Sequence, residues 1–381
     1  MAEISLPRKD IFSFTDKIVV GLHVEGNCIG VCGEGRWYRS DIGGRRDGFR
    51  ETSERIRELL ANLFNSTDLS EEFSGYMDEI AKKGYYLFTE LFPDEHLQHF
   101  IANCVRGNEG STVQIVTDGF DLPWNLLYIN NPLDEDSVNP FYFLGMRHSI
   151  ELIEGTSNVR PVPKDQLSVD MPSLGLLALA ESDLFAVDKH EIPFFESLQE
   201  NGKLNYLLLE QLQADKRHKR EELKKVEQFF EYNHSILHFA CHGFSDEDPS
   251  ESHLVISENF ELTRADFKQI SPKLVGTSII LINACESSGV SFHTSHFASD
   301  FYHRGIRSVI GTQSFINDQL AAEFIEYFYS NLLDGYTVGN SLLEARRRLW
   351  DERKSLLGLL YDLRGASNTQ LVPPKNEYKY N

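Results

Sequence analysis

The stretch Ser278–Ser288 reads SIILINACESS. Its first seven residues are short, apolar and rich in isoleucine, the composition of a strand buried on both faces. Small and polar residues take over after Ala284, so the strand predicted here ends on a cysteine, a glutamate and two serines. The same pattern occurs upstream, where Ser235–Ala240 (SILHFA) runs into Cys241-His242-Gly243. Further apolar runs of strand length lie at Leu174–Ala180, Leu204–Leu209 and Ser308–Gly311. Helical periodicity lies between or after them, at Pro193–Glu200, Arg217–Tyr232, Thr263–Gln269, Phe297–Arg304, Gln319–Leu333 and Val338–Glu352. Short apolar strands alternating with helices predict an α/β fold with a mostly parallel central sheet covered on both faces.

Toward the N-terminus the pattern is less regular. Lys17–Val24 (KIVVGLHV) reads as a strand, and Gly26-Asn27 turns it into a second run, Cys28–Cys32. Phe49, Ile56, Leu59, Leu60 and Leu63 keep helical spacing, and Phe73–Phe92 continues in that style until Pro93 stops it. Ser111–Thr117 is a further strand, Leu122–Tyr128 a buried helical turn, and Phe141–Ile153 one or two short strands. Pro161, Pro163 and Pro172 mark 155–172 as a linker. The predicted organisation is therefore an N-terminal strand and helix half over 1–154 packed onto the sheet, a linker over 155–172, an α/β half over 173–365, and a flexible tail over 366–381.

Composition narrows the function. Among 381 residues, 37 Lys+Arg stand against 58 Asp+Glu, a formal net charge of −21, which argues against a protein that grips nucleic acid or an anionic membrane. The 41% hydrophobic content is enough for a sizeable core. The five cysteines (Cys28, Cys32, Cys104, Cys241 and Cys285) are odd in number and lack paired C-x-x-C spacing, which disfavours a disulfide framework or a four-cysteine zinc site. The opening MAEISLPRKD lacks the apolar core of a signal peptide, and no apolar run has membrane-spanning length. A soluble, cytoplasmic protein is expected.

In a parallel sheet, catalytic and binding groups collect at the carboxyl ends of the strands. One crossover's length of chain separates His242 from Cys285, which puts both on the same edge. A cysteine thiol is mostly protonated near neutrality, and a neighbouring imidazole that takes its proton makes the thiolate available. The pair therefore reads as a Cys–His dyad, with the backbone N–H groups of Gly243 and Cys285 as oxyanion donors. The alternative is a buried structural thiol beside an ordinary polar histidine. Cys241 competes for the nucleophile role, but adjacent strand residues face opposite ways, which separates it from His242. The same geometry opposes a metal site built from His238 and Cys241, and no metal or other cofactor is expected. The glycines at Gly33-Glu34-Gly35 and Gly43-Gly44 form no phosphate-binding loop. The basic run Lys216–Lys225 reads as a solvated helix face or a docking patch.

The runs HFACHG (His238–Gly243), LTRADF (Leu262–Phe267) and LINACESS (Leu281–Ser288), with the tail pattern of Arg304–Leu349, resemble the CHAT domain, a caspase-like cysteine peptidase family related to separase. DGFDLPWNLLY (Asp118–Tyr128) and HEIPFFESL (His190–Leu198) add to the likeness. The resemblance implies a caspase–hemoglobinase-like three-layer fold, His242 as general base and Cys285 as nucleophile. It also implies a protein substrate, an activating protein partner and a role in prokaryotic defence or programmed death. The chain departs from the family at Gln313-Ser314-Phe315, where a tryptophan is frequent, and in having no fused repeat array. Caspases that cut after aspartate carry Arg, Gln or Gly directly after the cysteine, whereas here Glu286 stands there. With Asp118 and Asp318 at plausible rim positions, an acidic pocket preferring Arg or Lys on the acyl side of the cut is expected. Otherwise these carboxylates cap helices or face solvent, Asp318 being a good N-cap candidate. A catalytically silent scaffold of the same fold is the competing reading.

Overall fold

The computed structural model describes residues 18–65, 71–118, 120, 122–134, 137–155, 166–168, 171–179, 184–209, 212, 218–246, 248–257, 260–270, 272–274, 276–284, 297–314 and 316–372. They divide into two units, the first holding the described residues up to 155 together with 362–367, the second holding the remainder.

In the first unit the predicted hairpin is present: β1 (Ile18–Glu25) pairs antiparallel with β2 (Cys28–Gly33), and β2 with β3 (Arg36–Asp41). Three helices follow: α1 (Arg46–Asn65), α2 (Glu71–Leu91) and α3 (Glu95–Gly107). Asp94 caps α3 by accepting the N–H groups of His96 and Leu97, which explains why the chain restarts a helix directly after Pro93. β4 (Thr112–Thr117) runs parallel to β1, and after the short helix α4 (Leu144–Arg147), β5 (Ser149–Glu154) runs parallel to β4. Arg364 from the late segment pairs in parallel with Leu152 of β5. Gly84 lets α2 settle on the buried turn Trp124–Leu126, because a Cβ at this position would collide with the Leu126 carbonyl oxygen. That turn is the one predicted within Leu122–Tyr128.

The second unit is the alternating part. Its elements are β6 (Gln166–Ser168), β7 (Ser173–Ala178), α5 (Ile192–Glu200), β8 (Asn205–Leu208), α6 (Lys219–Glu231), β9 (Ile236–Ala240), β10 (His242–Phe244), β11 (His253–Ser257) and β12 (Phe260–Thr263). Then come α7 (Arg264–Ile270), β13 (Ile279–Asn283), α8 (Phe297–His303), β14 (Ser308–Thr312), α9 (Asp318–Leu333), α10 (Val338–Arg353), β15 (Tyr361–Gly365, of which 362–365 belong to the first unit) and β16 (Gln370–Val372). Within this unit the strands lie in the order β8-β7-β9-β13-β14, every neighbouring pair parallel. The apolar readings of β9 and β13 correspond to strands buried along nearly their whole length. One face rests on a core that includes Phe230, Phe239, Phe267 and Phe301.

The strand expected over Leu204–Leu209 is present as β8, an edge strand with Leu207 and Leu208 exposed, since among the described residues only β7 pairs with it. One expectation is corrected: residues 366–372 of the tail expected over 366–381 are structured, and 373–381 lie outside the described residues. Ala366, Ser367 and Thr369 are buried, and β16 pairs in parallel with β6, which itself falls inside the expected linker. The short polar stretch between β15 and β16 hides this, because its strand partner lies far away in sequence.

Candidate active site

Asn283 at the end of β13 is paired with Ala240 at the end of β9, and Ala240 with Ala178 of β7. Three parallel strands therefore stop level, and Cys241, His242 and Ala284, just past two of those ends, line one region. That region is an open cleft of about 270 Å³, whose walls include Glu191, Cys241, His242, Asn283, Ala284 and Asp318. His242 is half-buried and begins the ribbon β10-β11-β12, which springs from β9 and places Val255 opposite His242 and Leu254 opposite the buried Gly243. Ala284 is the last described residue before position 285, and its carbonyl accepts the Thr312 hydroxyl at the end of β14. Cys285 and Glu286 lie outside the described residues.

Asp318 lines the cleft in the first turn of α9. Its Oδ2 accepts the Ala186 N–H at 3.3 Å, and Asn317, not Asp318, is the N-cap, accepting the Leu320 N–H at 3.2 Å. The side chain one residue earlier has the extended backbone that capping requires. Asp118 belongs to the first unit. There it is exposed beyond β4, and its Oδ2 accepts the Gly26 N–H of the β1–β2 turn at 3.0 Å.

Cys241 is buried, packing in the core with Phe239 and Leu254 while also contributing to the cleft wall, whereas its neighbour His242 is half-buried there. Cys32 and Cys104 are buried and Cys28 is half-buried. Burial pushes the Cys104 thiol up to about 11, which keeps it protonated and unreactive near neutrality.

The sequence reading missed Glu191. The chain enters α5 through a π-helical turn, Val187–Glu191, just ahead of Pro193, which cannot donate a helical hydrogen bond. The turn carries Glu191 into the interior at 1% exposure. There Oε2 lies 2.9 Å from His238 Nε2 and Oε1 accepts Asn283 Nδ2–H at 2.8 Å. His238 Nδ1 lies 3.0 Å from the Tyr329 hydroxyl, and Tyr361 donates to Asn283 Oδ1 at 2.8 Å. Burial and the nearby Glu191 hold the Tyr329 hydroxyl well above its ordinary range, so it stays protonated as a donor. The signal in the sequence was His238 itself, a histidine inside a run otherwise as apolar as SILHFA.

Five parallel strands, helices around them and a cleft at their carboxyl ends holding a histidine on one strand exit define an α/β protein of the caspase type. The profile of the CHAT domain matches residues 86–368, and the chain belongs to that family of caspase-like cysteine peptidases. The expected fold class is the one observed. A search of curated proteins returned no sequence match. Among solved structures the chain is similar to separase from Saccharomyces cerevisiae in its complex with securin, with 10% identity, a TM-score of 0.52 and coverage of 93% of this chain. It spans 30% of that separase chain, so the likeness is one of fold. It is also similar to a secreted C11 cysteine protease from Bacteroides thetaiotaomicron bound to an irreversible peptide inhibitor. The identity is 13%, with 48% of this chain and 59% of that one covered and a TM-score of 0.32, too low to carry an argument.

Proposed function

We propose that this chain is a cysteine endopeptidase in which Cys285 is the nucleophile and His242 the general base and acid. One observation carries the reading. Ala284, one peptide bond before Cys285, lines the same cleft as His242, and their strands end level at Asn283 and Ala240. In the proposed reaction His242 takes the Cys285 proton and the thiolate forms a C–S bond to the scissile carbonyl carbon. The backbone N–H groups of Gly243 and Cys285 hold the oxyanion. Collapse breaks the C–N bond as His242 returns the proton to the leaving amine. Water then cleaves the thioester, with His242 taking its proton and passing it to the sulfur.

Asp318 in the cleft wall supports a preference for Arg or Lys on the acyl side, and Glu286 is proposed to add to it. The carboxylate of Asp118 is committed to the Gly26 N–H, which weakens its part in that pocket. Activation by a protein partner is supported by the separase fold being seen with securin. The proposed setting, a prokaryotic defence or programmed-death system, rests on family resemblance and is open to test from the neighbouring genes.

The decisive experiment treats the full chain with arginyl and aspartyl peptide electrophiles and locates the adduct by mass spectrometry. Modification at Cys285, faster with the arginyl probe and absent in Cys285→Ala, is expected. No adduct with any probe, alone or with candidate partners, would leave a catalytically silent CHAT-fold scaffold.

A further inference from the structure

Resting on that reading, we infer that Glu191 is a positioning residue for the dyad: it ties together the two strands that deliver His242 and Cys285. His238, on β9, precedes His242 by four residues, and Asn283, on β13, precedes Cys285 by two. Both donate to the one Glu191 carboxylate, at 2.9 Å and 2.8 Å.

The hydrogen bonds form a chain that converges on this carboxylate. His238 links the Tyr329 hydroxyl at Nδ1 to Glu191 Oε2 at Nε2, and as Glu191 can only accept, Nε2 carries a proton and donates it. From the other side the Tyr361 hydroxyl donates to Asn283 Oδ1, and Asn283 Nδ2–H donates to Glu191 Oε1. Each arm starts on a phenol held by ring packing. Tyr329 meets Phe195 edge-on at 5.1 Å, and Tyr361 stacks on Phe324 at 4.1 Å. Both arms end on the acceptor that can take two bonds without donating any, a carboxylate.

A buried carboxylate is expensive to keep unless its oxygens are matched, and a half-satisfied network is worse than an apolar one. A mutually satisfied set therefore has one low-energy geometry. Here that geometry fixes β9 and β13 against each other at the level where the dyad departs. Among the described residues Glu191 makes no hydrogen bond or ion pair with His242. Its effect runs through the strands.

The test measures Cys285 modification by an arginyl peptide electrophile in the full chain, separating the limiting inactivation rate from the half-saturating concentration. Glu191→Gln keeps the size but introduces an N–H₂ that must face one of two existing donors. A limiting rate lower by about 10- to 100-fold, at a half-saturating concentration within about twofold and a melting temperature that falls but stays well above the assay temperature, is expected. Tyr329→Phe and Tyr361→Phe each remove one hydroxyl at the far end and guard against a variant that fails to fold. Each should lower the limiting rate by about 3- to 10-fold, leaving the half-saturating concentration alone. Unchanged limiting rates in folded Glu191→Gln and in both tyrosine variants overturn the inference. So does a loss that follows the melting temperature alone. If the unsubstituted chain is not modified at all, the protease reading itself fails, and the inference goes with it.

Discussion

The two units bury polar groups in different ways. In the first, Gln114 of β4 donates to Glu151 of β5 at 2.5 Å, and the Ser367 N–H donates to the same carboxylate at 2.8 Å. Asn125 donates to Asp362, and Arg364 pairs with Glu154. These bonds tie β4, β5, the Trp124–Leu126 turn and residues 362–367 together. A nearby cavity in that unit, between Val20, Phe88 and Leu127, is apolar and holds about 10 Å³. In the second unit the carboxylate of Glu191 also ties strands, but it does so in the wall of a cleft of about 270 Å³. The strands of the first unit end on Asp118 and Glu154, whereas β9 and β13 lead into His242 and Cys285. Parallel strand ends are a place where chemistry can be put; which side chains follow them decides whether it is.

That contrast is open to attack, beginning with its largest consequence. Cys285→Ala should abolish labelling by the arginyl electrophile. His242→Ala should slow it by about 10²- to 10⁴-fold, the usual worth of a positioned general base. Mass-spectrometric kinetics check both, and full-rate labelling without His242 would dismantle the dyad. Replacing Glu151 by Ala in the first unit should instead act on stability. It strands two buried donors, lowering the unfolding free energy in urea by about 3 kcal/mol, while the folded protein labels at the normal rate. A slowed rate there would blur the distinction between the units.

His234 supplies a pH test. It is fully buried beside Phe229 and Tyr232, and among the described residues its Nε2 has no hydrogen-bond partner. Burial lowers its pKa from 6.5 to about 4. Between those values the unfolded chain binds a proton that the folded chain does not, so stability falls as pH drops through this window and levels off below it. The loss should reach about 2 kcal/mol at pH 5, read from urea midpoints. His234→Phe should remove that slope, and a slope that persists would assign it to other groups.

The smallest expected effect is on selectivity. Asp318→Asn should reduce the preference for an arginyl over a neutral electrophile by about tenfold, the worth of roughly 1.4 kcal/mol in a partly solvated cleft. An unchanged ratio would move the basic preference elsewhere.

Much of the fold was legible because burial on both faces of a parallel strand leaves a plain mark, an unbroken apolar run. SILHFA and SIILINA carry that mark, and they became β9 and β13. Where a strand sits at an edge or is completed by a distant partner the mark is weak. That is why Gln370–Val372 reads as tail in the sequence.

The residue chemistry of the proposed dyad, the charge of −21 and the alternation of strands and helices are properties of the chain as written, and local periodicity was sufficient to read them. The level ends of β9 and β13, the meeting of His238, Glu191, Asn283 and two tyrosines, and the place of Asp318 in the cleft wall were decided by tertiary structure. They depend on strand register and helix packing between residues far apart in sequence, which local pattern does not encode.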